Sequence, residues 1–186
     1  MTSTMTDIPG LTGRDLRSET IAFAHFWLRL PKEGLMPDRQ SFRPEDETRL
    51  LPRIMLMELQ APDLICMRLI GTKLVQMHGC DRTGQNYLDF VEAERRPEAA
   101  KALWRMWDQP CGMQVMLVQK SNKGVETLSE TIGFPMTDRQ HGRKLLICHS
   151  TPMEWRDLPA FWEQDPARLY NVSDRHYIDI GAGIPD

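Results

Sequence analysis

Between Pro52 and Ser150 the hydrophobic pattern changes period twice, and this constrains the fold more than any other feature of the chain. Ile54 to Gln60 and Leu64 to Gly71 are short runs of strand-forming residues separated by the turn signal Ala61-Pro62-Asp63, and the tight spacing predicts an antiparallel hairpin. Thr72 to His78 reads as a short helix closed by Gly79, and Asp81 to Asn86 as a loop containing Gly84. Glu92 to Asp108 is a longer helix, with Ala100, Leu103, Trp104 and Trp107 on one face and Pro110 and Gly112 just past its end. Alternation then returns. Met113, Val115 and Leu117 mark one strand, and Ser121-Asn122-Lys123-Gly124 is a turn. Leu128, Glu130, Ile132 and Phe134 share one face of the next strand, opposite Ser129, Thr131 and Gly133. Asp138 to Gly142 turns again before a strand over Lys144 to Ser150. Strands, then helices, then strands make an α+β domain: a five-stranded antiparallel sheet with helices packed on one face.

Ahead of this core Ser18 offers an N-cap, and Phe23, Phe26, Trp27 and Leu30 follow at helical spacing, so an amphipathic helix is expected, ended by Pro31 and Gly34. Its aromatic stripe must be buried against something. It can pack on the chain's own core or form a homodimer seam, and Phe23, Phe26, Trp27 and Leu30 are the dimer-interface candidates. Pro44, followed by Glu45, Asp46 and Glu47, is well placed to open a short helix. The chain thus divides into a flexible N-terminus at 1–17, a helix and connecting segment at 18–51, the core at 52–151 and a C-terminal tail at 152–186. One short strand, Tyr177 to Ile180, is expected in the tail.

Composition narrows the partners. A net charge of -3 leaves no positive surplus for a nucleic-acid backbone or an anionic membrane to attract. The longest apolar runs, such as Val115 to Val118, are far shorter than the roughly 20 residues a spanning helix needs. The start, Met1 to Gly10, lacks the basic residues and apolar stretch of a signal peptide. Cys66, Cys80, Cys111 and Cys148 are too widely spread for a disulfide scaffold and form no C-x-x-C pair, so reduced, buried thiols in a cytoplasmic protein are expected. Twelve methionines favour an adaptable interior that can fill irregular gaps or line a pocket.

The order of elements and the residues that mark it resemble a PAS domain, most nearly the stand-alone bacterial PAS-like family sometimes called PAS_5. The matching residues are His25-Phe26-Trp27, Met36-Pro37-Asp38-Arg39, Phe42-Arg43-Pro44, Leu50-Leu51-Pro52-Arg53-Ile54, Met67-Arg68-Leu69-Ile70-Gly71-Thr72 and Gly79-Cys80-Asp81-Arg82-Thr83-Gly84. The resemblance implies a five-stranded sheet cupped over short helices, serving as a small-molecule or protein-interaction module in signalling and not as an enzyme. A flavin photosensor of this kind would carry a reactive cysteine within an Asn-Cys-Arg segment, whereas Cys80 stands in Gly79-Cys80-Asp81-Arg82. A haem sensor would commonly place a histidine on the long helix, and Glu92 to Asp108 has none. The cofactor is therefore unknown. With no output domain fused, the signal is expected to pass through a homodimer or a signalling partner.

The remaining constellations are sparse. His25, His78, His141, His149 and His176 show no metal-binding spacing, and no G-x-S-x-G elbow is present, so no metal and no catalytic residues are assigned. Arg68, between Met67 and Leu69, is expected to point away from both and to form a salt bridge. A small apolar ligand is expected between the sheet and the short helices, near Met67, Leu69, Met77, Tyr87, Leu103 and Trp107, with Met67 and Leu69 on one face by alternation. The competing reading is a small α+β enzyme with an apolar pocket and a carboxylate base, for which Glu130, in phase with Leu128, Ile132 and Phe134, is the candidate. A third is a scaffold whose pocket is filled by its own Met and Trp side chains.

Overall fold

The computed structural model describes residues 11, 15–120, 126–153 and 168–185. The expected turn at Ser121 to Gly124 and most of the N-terminal segment lie outside the described residues. Helix α1 (Ser18–Arg29) is followed by a two-residue β1 (Lys32–Glu33) and β2 (Met36–Pro37), then by 3-10 turns that include Pro44–Glu47. The hairpin β3 (Ile54–Ala61) and β4 (Leu64–Ile70) precedes α2 (Thr72–His78), a 3-10 turn at Tyr87–Phe90 and α3 (Arg96–Asp108). Strands β5 (Cys111–Lys120), β6 (Glu126–Asp138), β7 (Arg143–Pro152) and β8 (Arg168–Asp179) complete the chain. The main sheet is antiparallel throughout, in the order β4-β3-β7-β6-β5-β8. It has six strands where five were expected. The added one is β8, a full-length strand along the edge of β5, where only Tyr177 to Ile180 was anticipated.

Two cores lie on opposite faces of this sheet. On the outer face α1 covers Ile54, Leu56, Ile132, Phe134, Met136, Leu145 and Ile147. On the inner face α3 covers Met57, Leu59, Ile65, Met67, Met113, Val115, Leu146 and Cys148. A central strand buried on both sides reads as a continuous apolar run, which is why Leu145 to Cys148 shows no alternation.

The α1 stripe is consumed inside the chain. Phe23, Phe26 and Trp27 are buried, and Leu30 packs partly against the same core. The Trp27 ring stacks on Phe134 at 4.6 Å between centroids and 15° between planes, and its Nε1–H donates to the Pro135 carbonyl at 3.2 Å. Of the dimer-interface candidates Phe23, Phe26, Trp27 and Leu30, the first three have almost no surface left for a second copy. Any pairing surface on this helix must therefore use its other side. The sheet supplies Phe134 as a nearer partner for the indole, and Gly112 makes room for it: a Cβ at Gly112 would overlap the Phe134 ring.

The ends of α1 are also tied down. The cap position is Arg17 and not Ser18, and the carboxylate of Glu130 accepts from the Arg17 N–H at 3.0 Å and the Thr20 hydroxyl at 2.7 Å. At the other end the Lys32 ammonium donates to the carbonyls of Trp27, Leu28 and Leu30 and lies 4.5 Å from the Trp27 ring centre.

Replacing Trp27 by alanine empties a fully buried indole site and is expected to cost about 3–5 kcal/mol. Urea denaturation should show that loss equally at every protein concentration. A variant of unchanged stability that sediments as a smaller species would place Trp27 in an interface instead.

Candidate functional site

The inner core is incompletely filled. A cavity of about 90 Å³ lies between the sheet and helices α2 and α3. Its apolar walls are Met55 and Met57 from β3, Met67 from β4, Leu74 from α2, Leu103 and Met106 from α3, Met113, Val115 and Leu117 from β5, and Val172 from β8. Polar side chains gather there too: His78, Arg82, Tyr87, Gln119, Thr131, Ser150 and Arg175. Among the described residues no Asp or Glu lines the cavity.

Each polar group is placed by an identifiable local device. His78 follows Leu74 by one helical turn on α2, so both face the cavity, and Gly79 then ends the helix at φ 73°. Arg82 sits on the loop that runs along the outer edge of β4. The Met67 N–H donates to the Gln85 carbonyl at 3.0 Å, and the Gly84 N–H donates to the Met67 carbonyl at 2.7 Å. The Asn86 side chain clamps this loop to the hairpin: its amide donates to the Asp63 carbonyl at 2.9 Å, and its oxygen accepts from Ile65 N–H at 3.0 Å and Leu88 N–H at 3.2 Å. So held, the Arg82 guanidinium lies 3.7 Å from the centre of the Phe90 ring. Gln119 comes from β5 in phase with Met113, Val115 and Leu117, and Arg175 comes from β8, where it pairs with the exposed Glu98 at 3.3 Å. The hydroxyl of Thr131 donates to that of Ser150 at 2.8 Å.

Of the six residues expected at a pocket, Met67, Tyr87 and Leu103 line the cavity, and Leu69, Met77 and Trp107 do not. Leu69 belongs to the outer core, because the pairing of β3 with β4 shifts between Leu56 and Met57 and leaves Arg68 as an extra, unpaired residue. One inserted residue turns the rest of a strand over, so Met67 and Leu69 face opposite ways. Arg68 itself makes the expected ion pair, 3.5 Å from Glu58. Met77 is buried, but it lies outside the cavity wall. Trp107 is displaced by rotation of α3, which turns Ala99, Ala102, Leu103 and Met106 toward the sheet. Trp104 remains at the flank, where its Nε1–H donates to the Ala61 carbonyl, and Lys144 lies over both indoles.

Sequence reasoning missed His78, Arg82, Gln119 and Arg175 as cavity residues. Gln119 carried a signal in its phase with Met113, Val115 and Leu117. Arg175 carried none, since its place depends on a strand docking from the far end of the chain. Glu130 is buried on the outer face, away from the cavity. There it accepts from Gln114 Nε2 at 3.2 Å in addition to its bonds at the start of α1.

Burial governs the titrating groups. It depresses His78 to about 3, with the Arg82 charge adding to the effect, and it pushes the Cys148 thiol up to about 12. It also holds the Tyr87 phenol above its usual range. On the outer face His149 is stacked on Phe23 and depressed to about 4, first by burial and then by Arg53. Cys80 is partly buried and is not among the cavity-lining residues. Among the described residues no cluster of His, Cys, Asp and Glu could hold a metal ion, and no helix is long and apolar enough to cross a membrane.

A PAS domain sequence pattern matches residues 15–148, which spans most of the chain. The fold is an antiparallel sheet over short helices with a cavity between them, and with that match the chain belongs to the PAS domain family. No curated protein matches it. Among solved structures it is similar to a LOV protein of Rhodobacter sphaeroides, at 12% identity over 59% of this chain and 63% of that one, with a TM-score of 0.46. An RNA-binding light-oxygen-voltage receptor is similar at 18% identity over 66% of this chain and 35% of that one, with a TM-score of 0.45. The photo-excited blue-light photoreceptor Vivid is similar at 14% identity over 69% and 90%, with a TM-score of 0.42. These likenesses carry no argument about ligand or output.

The buried histidines make folding pH-dependent. Histidine ordinarily protonates near 6.5, whereas His149 and His78 are held to about 4 and about 3 in the folded chain. Below 6.5 the unfolded chain therefore takes up protons that the folded chain refuses. Their contribution to stability should be complete above that pH and decline as pH falls toward 4, and His149→Gln should flatten the decline. Urea midpoints measured from pH 7.5 to 4.5 check both expectations.

Proposed function

We propose that this PAS domain is a non-catalytic sensory module. A small, largely apolar ligand occupies the inner cavity, and its presence is passed on through self-association or a protein partner. The observation that supports this reading most strongly is the lining. Met55, Met57, Met67, Met106 and Met113 provide a flexible apolar wall, and polar groups from separate elements converge at part of it. The enzyme reading needs a carboxylate base inside an apolar pocket, but the candidate, Glu130, is spent on the opposite face in holding α1. A flavin fits poorly: Cys80 stands outside the cavity wall, and about 90 Å³ is small for a fused three-ring group. For scale, an engineered cavity of about 150 Å³ takes a single benzene.

The test is a thermal-shift screen of small apolar molecules against the parent and Leu103→Trp, whose indole would fill the cavity. Ligands are expected to raise the parent's melting temperature and to leave Leu103→Trp unmoved. Equal responses in the two proteins would place binding elsewhere. Sedimentation with and without a binder then reports whether occupancy changes self-association.

A further inference from the structure

The cavity's polar groups are unequal in sign, and this bears on what it accepts. Among the described residues Arg82 and Arg175 both line it, and no carboxylate does. Glu98, the acid beside Arg175, is an exposed residue on the first turn of α3 and is not part of the wall. Arg82 is 4% exposed, so its charge is held away from bulk water, where an anion would be felt most strongly.

Hydrogen bonding points the same way. His78 Nε2 lies 3.4 Å from Gln119 Nε2, an amide nitrogen that can only donate. With the amide in this orientation His78 Nε2 accepts, and the neutral ring carries its proton on Nδ1. That Nδ1–H is buried and has no partner, and Arg175 Nε is likewise buried and without a hydrogen-bond acceptor. Both are unsatisfied donors, and leaving such groups buried is costly. The Gln119 Oε1 atom is a buried acceptor without a partner, suited to a hydroxyl or a bridging water. Donors and positive charge thus converge from α2, from the loop after it, and from β8, beside a wall of thioethers.

Resting on the reading of the cavity as a ligand site, we propose that its ligand class is the small amphipathic anion, a short-chain carboxylate whose head meets His78, Arg82 and Arg175 while its alkyl body lies among the methionines. At about 90 Å³ the cavity admits only short chains, and a six-carbon chain enters it as the methionine side chains give way. The methionine side chains give the wall the compliance to close around them.

The experiment is calorimetric titration of the folded protein with hexanoate, hexan-1-ol and hexylamine, probes of one chain length that differ in the head. Hexanoate is expected to bind at least tenfold more tightly than hexan-1-ol, with no detectable binding of hexylamine. Arg175→Met should remove that preference and leave the alcohol's affinity unchanged. His78→Leu provides a second variant, expected to weaken hexanoate selectively without disturbing β8. If hexan-1-ol binds as tightly as hexanoate, the anion assignment is overturned and the cavity reading survives. If the folded parent binds none of the three, both fail. Hexanoate binding that neither substitution alters would put the carboxylate at another site and overturn the proposal.

Discussion

The sheet is apolar on both faces, and the rest of the chain is arranged to cover it. Strand β7 is the clearest case, with Leu145 and Ile147 facing one core and Leu146 and Cys148 the other. Left uncovered, either face would present a contiguous apolar surface to water. The two covers differ in kind. Under α1 the contacts are between rigid aromatic rings, Trp27 on Phe134 and Phe23 near Phe26 and His149. Under α3 they are largely between thioethers and alanines, and they leave a cavity. Flat rings in register close a surface tightly, whereas flexible methionines tolerate a gap. The outer face is therefore closed by rigid rings, while the inner face keeps a gap.

The buried polar groups divide less cleanly between the two faces. On the outer face Glu130 is satisfied three times over, by Arg17, Thr20 and Gln114, so it behaves as a structural anchor for α1. On the inner face His78 Nδ1 and Gln119 Oε1 are left without protein partners, as Gln114 Oε1 is beside Glu130 on the outer face. Glu130, which looks catalytic in sequence, thus anchors a helix, whereas residues that look unremarkable there line the cavity.

Strand β8 links the cavity to the edge of the sheet. It covers β5, which would otherwise offer an open edge, and it brings Val172 and Arg175 to the cavity wall. Its pairing shifts between Met116 and Leu117, and again between Val118 and Gln119, so its register to β5 changes twice along the strand. The wall of the cavity is therefore assembled from segments as distant as β3 and β8.

Much of this was legible in the residues. The hairpin, the long helix and the alternating strands follow from local periodicity, because a side chain's direction in a strand or helix is set by its immediate neighbours. The faces of β6 were separable for the same reason, and so was the phase of Gln119 with Val115 and Leu117. Other features were beyond such reasoning. The extra residue at Arg68 reverses Leu69, the rotation of α3 sets Trp107 aside, and α1 meets Phe134 because Gly112 leaves the space. Each depends on what lies across the sheet. By itself the sequence determined where the hairpin, the long helix and strands β5 to β7 lie and which residues in them alternate, since those are matters of local geometry and hydration. Tertiary structure alone decided which face receives which cover, and which polar groups converge on the cavity, because register, helix rotation and the docking of β8 are settled by packing between segments far apart in the chain.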